Sequence, residues 1–341
     1  MSILVDQNTR LLCQGMTGWA GTYHTNRMIQ YGTKVVAGVT PGKGGKSHLD
    51  VPIFDSVAEA VRTTGANASA VFVPPDRAAG AMIEAIEAEM PLVVAVTERV
   101  PVLDMIRVRE ALAGSRTRLV GPNSQGVLAP GVCQVGVMAT DRAYRGTIGV
   151  VSRSASLTSE VISQLTAAGL GQSETIGIGG DPVHGMSFVD CLKLFFADPH
   201  TEVVVLIGEI GGTEEQQAAD YIRGADAKKP VVALVVGKHA PPATTHGPRR
   251  RAGSRCACRR RQQDCGVAGC GRGHRAQSAS CRSDHPRLSC QTGSLNAPAP
   301  ALTAFPTTKH ARRGMLYFNC TGNVTRYTRI MVSTSTPLAS L

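Results

Sequence analysis

The sequence predicts an α/β protein of two successive doubly wound units, followed by a tail of a different kind. Three observations carry this. Short Val/Ile/Ala runs of strand length alternate with helix-length segments, the pattern of buried parallel strands joined by crossover helices. The alternation breaks once, near residues 130–147, and then restarts. At about residue 243 the hydrophobic periodicity and the charge balance both change. The expected units are 1–130, 131–242 and 243–341.

In the first unit the strands are aliphatic runs: RLLCQ at 10–14, KVVAGV at 34–39, VPIF at 51–54, SAVFV at 69–73, PLVVAV at 91–96 and RLVG at 118–121. Longer mixed segments between them predict helices over 21–31, 56–64, 77–89 and 102–113. The stretch 128–146 reads as loop. Strands then recur at 147–151, 174–178, 203–207 and 230–236, with helices over 156–168, 186–196 and 213–224. Residues 243–341 show neither a helical nor a strand period and are rich in Pro, Ser, Thr and Ala, which predicts a disordered tail.

The net charge of +11 is uneven: residues 1–242 carry about −3 and residues 243–341 about +14. The front part has three scattered cysteines (Cys13, Cys133, Cys191), as expected of a reducing cytoplasm. The start MSILVDQNTR lacks the basic and apolar regions of a secretory signal, and runs such as 231–236 are too short to span a bilayer. A cytoplasmic protein without a membrane partner is expected.

Two loops carry chemistry. Gly15-Met-Thr-Gly18-Trp-Ala-Gly21 joins the first strand to the first helix, where glycines let a phosphate approach the free N–H groups of the helix start. Its spacing is GxxGxxG, not GxGxxG, and no acid ends the second strand to hold a ribose. That strand runs instead into Gly38-Val-Thr-Pro-Gly-Lys-Gly-Gly45, and a lysine there suits a phosphate near a ribose, as in coenzyme A.

Seven motifs occur in order: GMTGWAGTYHT, YGTKVV with GVTPGKGG, VTERVPVLDM, GPNSQGV, GVVSRSASLTSE, GIGGDP and IGEIGG. Together they make residues 1 to about 242 resemble the α subunit of succinate–CoA ligase. The resemblance implies a Rossmann-like CoA-binding domain followed by a flavodoxin-like ligase domain. It also implies a partner β subunit, in an αβ or α2β2 assembly, that carries the nucleotide and Mg. No nucleic-acid partner is expected, and no metal site on this chain.

Residue by residue, the resemblance implies CoA contacts at Thr17, Gly18, Trp19, Ala20, Lys43, Val96, Thr97 and Glu98. Trp19 stands where relatives have a small or polar residue, and either stacks on the ligand or caps the loop. Ser154, Ala155 and Ser156 would open a phosphate-holding helix, with Ser159 near the acid substrate and Gly179 and Gly180 near the phosphate. Ala155 replaces a glycine and Ser159 a tyrosine of the family pattern, leaving open a related acid such as malate, or CoA binding without ligase activity. Glu209 would support a histidine that is phosphorylated by nucleotide and passes the phosphate to succinate before CoA attacks.

That histidine is absent. The family stretch RMGHAGA would put it at position 248, where this chain has Pro248. His246, two residues earlier, lacks the flanking motif. Thr245 to Arg251 can be written ACG CAT GGG CCA CGC CGG CGC, which one base later reads RMGHAG with histidine at 248. The expectation is a frameshift near codons 240–244. The rival reading takes Cys256, Cys258, Cys265, Cys270, His274, Cys281 and Cys290 as zinc ligands among nucleic-acid-binding arginines, though no standard finger spacing is present.

Overall fold

The computed structural model describes residues 3–224 and 229–237, with three short strands beyond them given by backbone alone. In the first unit, β1 (Arg10–Gln14), α1 (Trp19–Tyr31), β2 (Lys34–Val39), β3 (Ser47–His48) and β4 (Val51–Phe54) are followed by α2 (Val57–Thr64) and β5 (Ala68–Val71). Then come α3 (Pro75–Glu87), β6 (Leu92–Ala95), α4 (Val102–Leu112) and β7 (Arg118–Val120). The sheet order is β3-β4-β2-β1-β5-β6-β7, parallel throughout except for the β3–β4 hairpin. Counting only the parallel strands, this is the Rossmann order 3-2-1-4-5-6, with its switch point between β1 and β5.

The second sheet begins with β8 (Gly126–Ala129) and β9 (Cys133–Gly136). It continues through β10 (Arg145–Ser152), α5 (Ala155–Ala167), β11 (Gln172–Gly177), α6 (Phe188–Ala197), β12 (Val203–Glu209), α7 (Glu214–Gly224) and β13 (Val231–Val236). The parallel strands lie in the order β13-β12-β10-β11, the flavodoxin arrangement 2-1-3-4, with β8 and β9 added antiparallel beyond β11. The stretch 128–146, expected to be loop, thus holds most of a hairpin. Pro130-Gly131 is its turn, and β8 joins the second sheet ahead of residue 131. Of residues 243–341, β14 (Thr245–His246) pairs with β15 (Arg251–Ala252), and β16 (Met331–Ser333) pairs with β13. The rest of that stretch, with the disorder and zinc readings made for it, lies outside the described residues.

The cores explain why the units are joined. Leu12, Val71, Met82, Val93 and Met105 fill one face of the first sheet, beneath α2, α3 and α4. The other face shares one apolar cluster with the second sheet: Leu11, Cys13 and Val94 belong with Val135, Val151 and Phe188. Thr33 seals the junction, its hydroxyl donating to the Gln134 carbonyl at 2.8 Å and accepting the Gln134 N–H at 3.0 Å.

A second tie joins the N-terminal segment to β11. The fully buried Glu174 carboxylate accepts the N–H of Ile3 at 2.6 Å and of Leu4 at 3.0 Å. Burial pushes its pKa up to about 8, against the opposing pull of those N–H groups. The folded chain therefore holds this proton more tightly than the unfolded chain, whose glutamate titrates near pH ~4.3. The resulting stability is full below that value and is lost as pH rises through about 8. Denaturation between pH 5 and 8 is expected to show falling stability with a slope approaching ~1.4 kcal/mol per pH unit from this group, levelling off above about 8. Glu174→Gln is expected to flatten that slope.

Candidate functional site

Doubly wound topology places a crevice outside the carboxyl ends of the strands at each switch point. In the first sheet the turn after β1 forms one lip. Gly15 N–H donates to the Val39 carbonyl at 2.9 Å, and Gly18 N–H to the Gly15 carbonyl at 3.0 Å, which closes the turn. Gly18 is the N-cap of α1; no side chain caps this end and its first turn holds no acid. The peptide dipoles and first-turn N–H groups thus present positive potential toward an anion. Gly21 has no room for a side chain: an added Cβ would lie 2.2 Å from the Gly15 carbonyl oxygen.

The lysine loop folds onto this turn. Gly44 N–H donates to Asp55 Oδ1 at 2.8 Å, and Lys43 Nζ donates to Thr17 Oγ1 at 3.0 Å. Thr17 Oγ1 also lies 3.3 Å from Thr40 Oγ1. Lys43 and Thr17, distant in sequence, are therefore neighbours. Ala20 sits half-buried on the first turn of α1, while Trp19 stands exposed and stacked on Tyr23. Val96, Thr97 and Glu98 follow β6. Val96 N–H bonds the Val71 carbonyl at 3.2 Å and the Thr97 hydroxyl donates to the Val73 carbonyl at 2.7 Å, tying the ends of β5 and β6 together.

At the second switch point, between β10 and β12, Ser154 is the N-cap of α5 without a side-chain cap bond, and Ala155 and Ser156 are exposed on the first turn. Ser159 is exposed one turn on. Gly179 and Gly180 are buried; a Cβ on Gly179 would lie 2.2 Å from the Pro122 carbonyl oxygen, so the GGDP loop packs tightly on the GPNSQG loop. Asn123 Nδ2 donates to Asp181 Oδ1 at 2.7 Å across that contact. Glu209 ends β12, half-buried, on the opposite lip. His246 has its backbone paired with Arg251, while its side chain and Pro248 lie outside the described residues.

Sequence reasoning missed the clasp that joins these loops. Arg153 Nη1 donates to Glu215 Oε1 at 3.0 Å and to the Gly211 carbonyl at 3.1 Å. Glu215 Oε1 also accepts the N–H of Glu209 at 3.2 Å. Next to it, Glu214 Oε1 meets His184 Nε2 at 2.6 Å, and His184 Nδ1 lies 3.0 Å from the Met186 carbonyl. Two adjacent acids opening α7 thus hold the loop before α5, the loop after β11 and the Glu209 backbone. The available signal was Arg153 inside SRSAS and the acid pair at a helix start, where the dipole favours acids.

Other chemistry is absent among the described residues. Burial pushes the thiol of Cys13 up to about 12 and that of Cys133 to about 11, and raises that of Cys191, so none is a thiolate nucleophile. No group of three or more His, Cys, Asp or Glu is arranged to hold a metal ion, and no helix is long and apolar enough to cross a membrane.

Comparison with known proteins gives the family. The family model described as "CoA binding domain" matches residues 6–99, and that described as "CoA-ligase" matches residues 151–254. The α subunit of ADP-forming succinate–CoA ligase from Staphylococcus aureus is 49% identical over 247 residues, which span 72% of this chain and 82% of the relative. The Staphylococcus epidermidis protein is 48% identical over the same length. The chain belongs to the succinate–CoA ligase α-subunit family. Among solved structures, ATP citrate lyase from Methanothrix soehngenii, in complex with citrate and coenzyme A, has a TM-score of 0.65 at 22% identity, covering 74% of this chain and 44% of that one. The apo acetyl-coenzyme A synthetase 1 of Ca. Korarchaeum cryptofilum has a TM-score of 0.56 at 18% identity, covering 68% and 51%. Both share the fold.

As a member of the succinate–CoA ligase α-subunit family, an acid–CoA ligase family, the chain carries a CoA-binding domain whose donors fit the ligand. An uncapped helix start, a lysine on the facing loop and a glycine that keeps the turn narrow suit a phosphate group. The α subunit of a two-subunit ligase implies a β-subunit partner.

Proposed function

We propose that this chain is a cytoplasmic succinate–CoA ligase α subunit that binds coenzyme A but, as translated, does not complete the phosphohistidine relay. The observation that carries the first half is the cradle of Thr17, the α1 N-terminus and Lys43 inside a matched CoA-binding domain. Lys43 and the N–H groups of Trp19 and Ala20, presented by the Thr17–Gly18 turn, hold the phosphates of CoA. Val96, Thr97 and Glu98 line the path toward the second domain. CoA supplies a thiol that attacks an activated acyl group. The α5 start at Ser154, Ala155 and Ser156 holds an anion, with Ser159 beside the acid substrate and the Gly179–Gly180 turn closing the cavity. Glu209 orients the phosphate-carrying histidine in a chain that has one. Nucleotide and Mg reside on the β subunit, in an αβ or α2β2 assembly.

The second half rests on Pro248 standing in the histidine's place and on the frame that restores RMGHAG. Without the nucleophile, the covalent route is closed. Calorimetric titration of the chain with CoA is expected to show one-site binding. Incubation with a β subunit and γ-labelled nucleotide is expected to leave the chain unlabelled. A gene with the frame restored should gain acid-labile label at position 248. Label on the chain as it stands would overturn the proposal.

A further inference from the structure

An exposed aromatic face stands beside the phosphate cradle. Trp19, the chain's one tryptophan, is 84% exposed, more than any other large apolar side chain among the described residues. An indole held in water forfeits the burial that ordinarily places tryptophan indoors or at a contact. It is also held in place. Its ring lies parallel to Tyr23 one turn on, at 6.0 Å between centroids and 7° between planes. Tyr23 meets the edge of His24 at 5.0 Å, and His24 stacks on Phe72 at 5.8 Å and 9°, which anchors the ladder to the end of β5.

The position matters as much as the exposure. Side chains of a helix lean toward its N-terminus, so Trp19, first residue of α1, leans toward the Gly15–Gly18 turn. It shares a helix face with Thr22, whose hydroxyl meets His48 Nε2 at 2.8 Å on the hairpin that follows the lysine loop. Trp19 is also two residues from Thr17, whose hydroxyl Lys43 contacts, so the indole stands beside the cradle. A planar π-surface next to an anion cradle matches the two ends of a phosphorylated nucleoside. The pantetheine arm, aliphatic and flexible, has no π-face to offer.

We propose that Trp19, backed by Tyr23, stacks on the adenine of coenzyme A and is a specificity determinant for the nucleoside end of the ligand. This rests on the CoA-binding reading and adds to it a residue type where the family pattern has a small or polar one. Alanine substitutions at base-stacking aromatics correspond to roughly 5- to 150-fold in affinity. Trp19→Ala is expected to weaken CoA binding within that range, Tyr23→Ala to weaken it less, and Trp19→Phe to retain most of it. Because position 19 is exposed, these variants should keep the parent far-UV circular dichroism.

The single indole also reports directly. CoA and adenosine 3′,5′-bisphosphate are expected to quench its fluorescence, and phosphopantetheine to leave it unchanged. Phosphopantetheine affinity should be equal in the parent and Trp19→Ala. If calorimetry shows CoA binding while the indole stays silent and Trp19→Ala binds within twofold of the parent, stacking is overturned and the CoA reading stands. A fluorescence change on adding a β subunit, with none on adding CoA, also overturns it and assigns the face to the subunit interface. If the parent shows no CoA heat at all, the CoA reading falls and this inference with it.

Discussion

Arg153→Met is expected to cost about 3–5 kcal/mol of stability, the range for removing one partner of a buried ion pair. The Arg153 side chain is 4% exposed and that of Glu215 12%, so water does not replace the lost partner. Glu215 would keep only the Glu209 N–H at 3.2 Å, leaving a carboxylate buried without a counter-charge. The Gly211 carbonyl would lose the Arg153 donor at the same time. Arg153→Met combined with Glu215→Leu removes both charges and should recover much of the loss, since an apolar pair of similar volume is often neutral. Urea denaturation of the single and double variants measures this. A single variant within about 1 kcal/mol of the parent would mean that the pair is effectively solvated.

Gly21→Ala is expected to cost about 3 kcal/mol, and to weaken CoA binding at least tenfold, because overpacking against fixed atoms has no cheap relief. The added methyl would lie 2.2 Å from the Gly15 carbonyl oxygen and 2.9 Å from the Gly15 carbonyl carbon and the Met16 Cα. All three are backbone, so relief requires α1 to move off the turn that forms the cradle. Gly80 in α3 is the matched control: it is also helical, and a Cβ there meets nothing within 4 Å. Gly80→Ala should therefore raise stability by about 0.5–1 kcal/mol and leave CoA affinity unchanged. Denaturation midpoints and CoA titrations of both variants decide the matter. Parent-like CoA affinity in Gly21→Ala would show that the turn and helix are not held by this contact.

The sheets were legible because buried parallel strands leave aliphatic runs, such as VVVLI within β12 and VVALVV in β13, that have few other uses in a chain. The β8–β9 hairpin was not legible. Its strands are four residues each, its turn is Pro-Gly, and glycines end it, so length and composition both read as loop. The lysine loop stood out in the sequence as Lys43 among glycines, but nothing in the sequence pointed to its contact with Thr17. The clasp at the second crevice was hidden for a different reason. Arg153 and Glu215 are 62 residues apart, and pairing at that distance leaves no period to detect. Glu214, Glu215 and His184 each look like ordinary surface residues until the topology brings the loops after β10, β11 and β12 together at the carboxyl end of the sheet.

The bond between Glu174 and the start of the chain also sets an order on biosynthesis. The partners lie 171 and 170 residues apart, so Ile3 and Leu4 leave the ribosome long before their acceptor exists. At ~5–20 residues per second, that interval is roughly 10–30 s. Through it, Ile3 and Leu4 lack the carboxylate that later accepts their N–H groups. The first unit, although complete in sequence by the end of β7, waits for β11 of the second before its own beginning is locked.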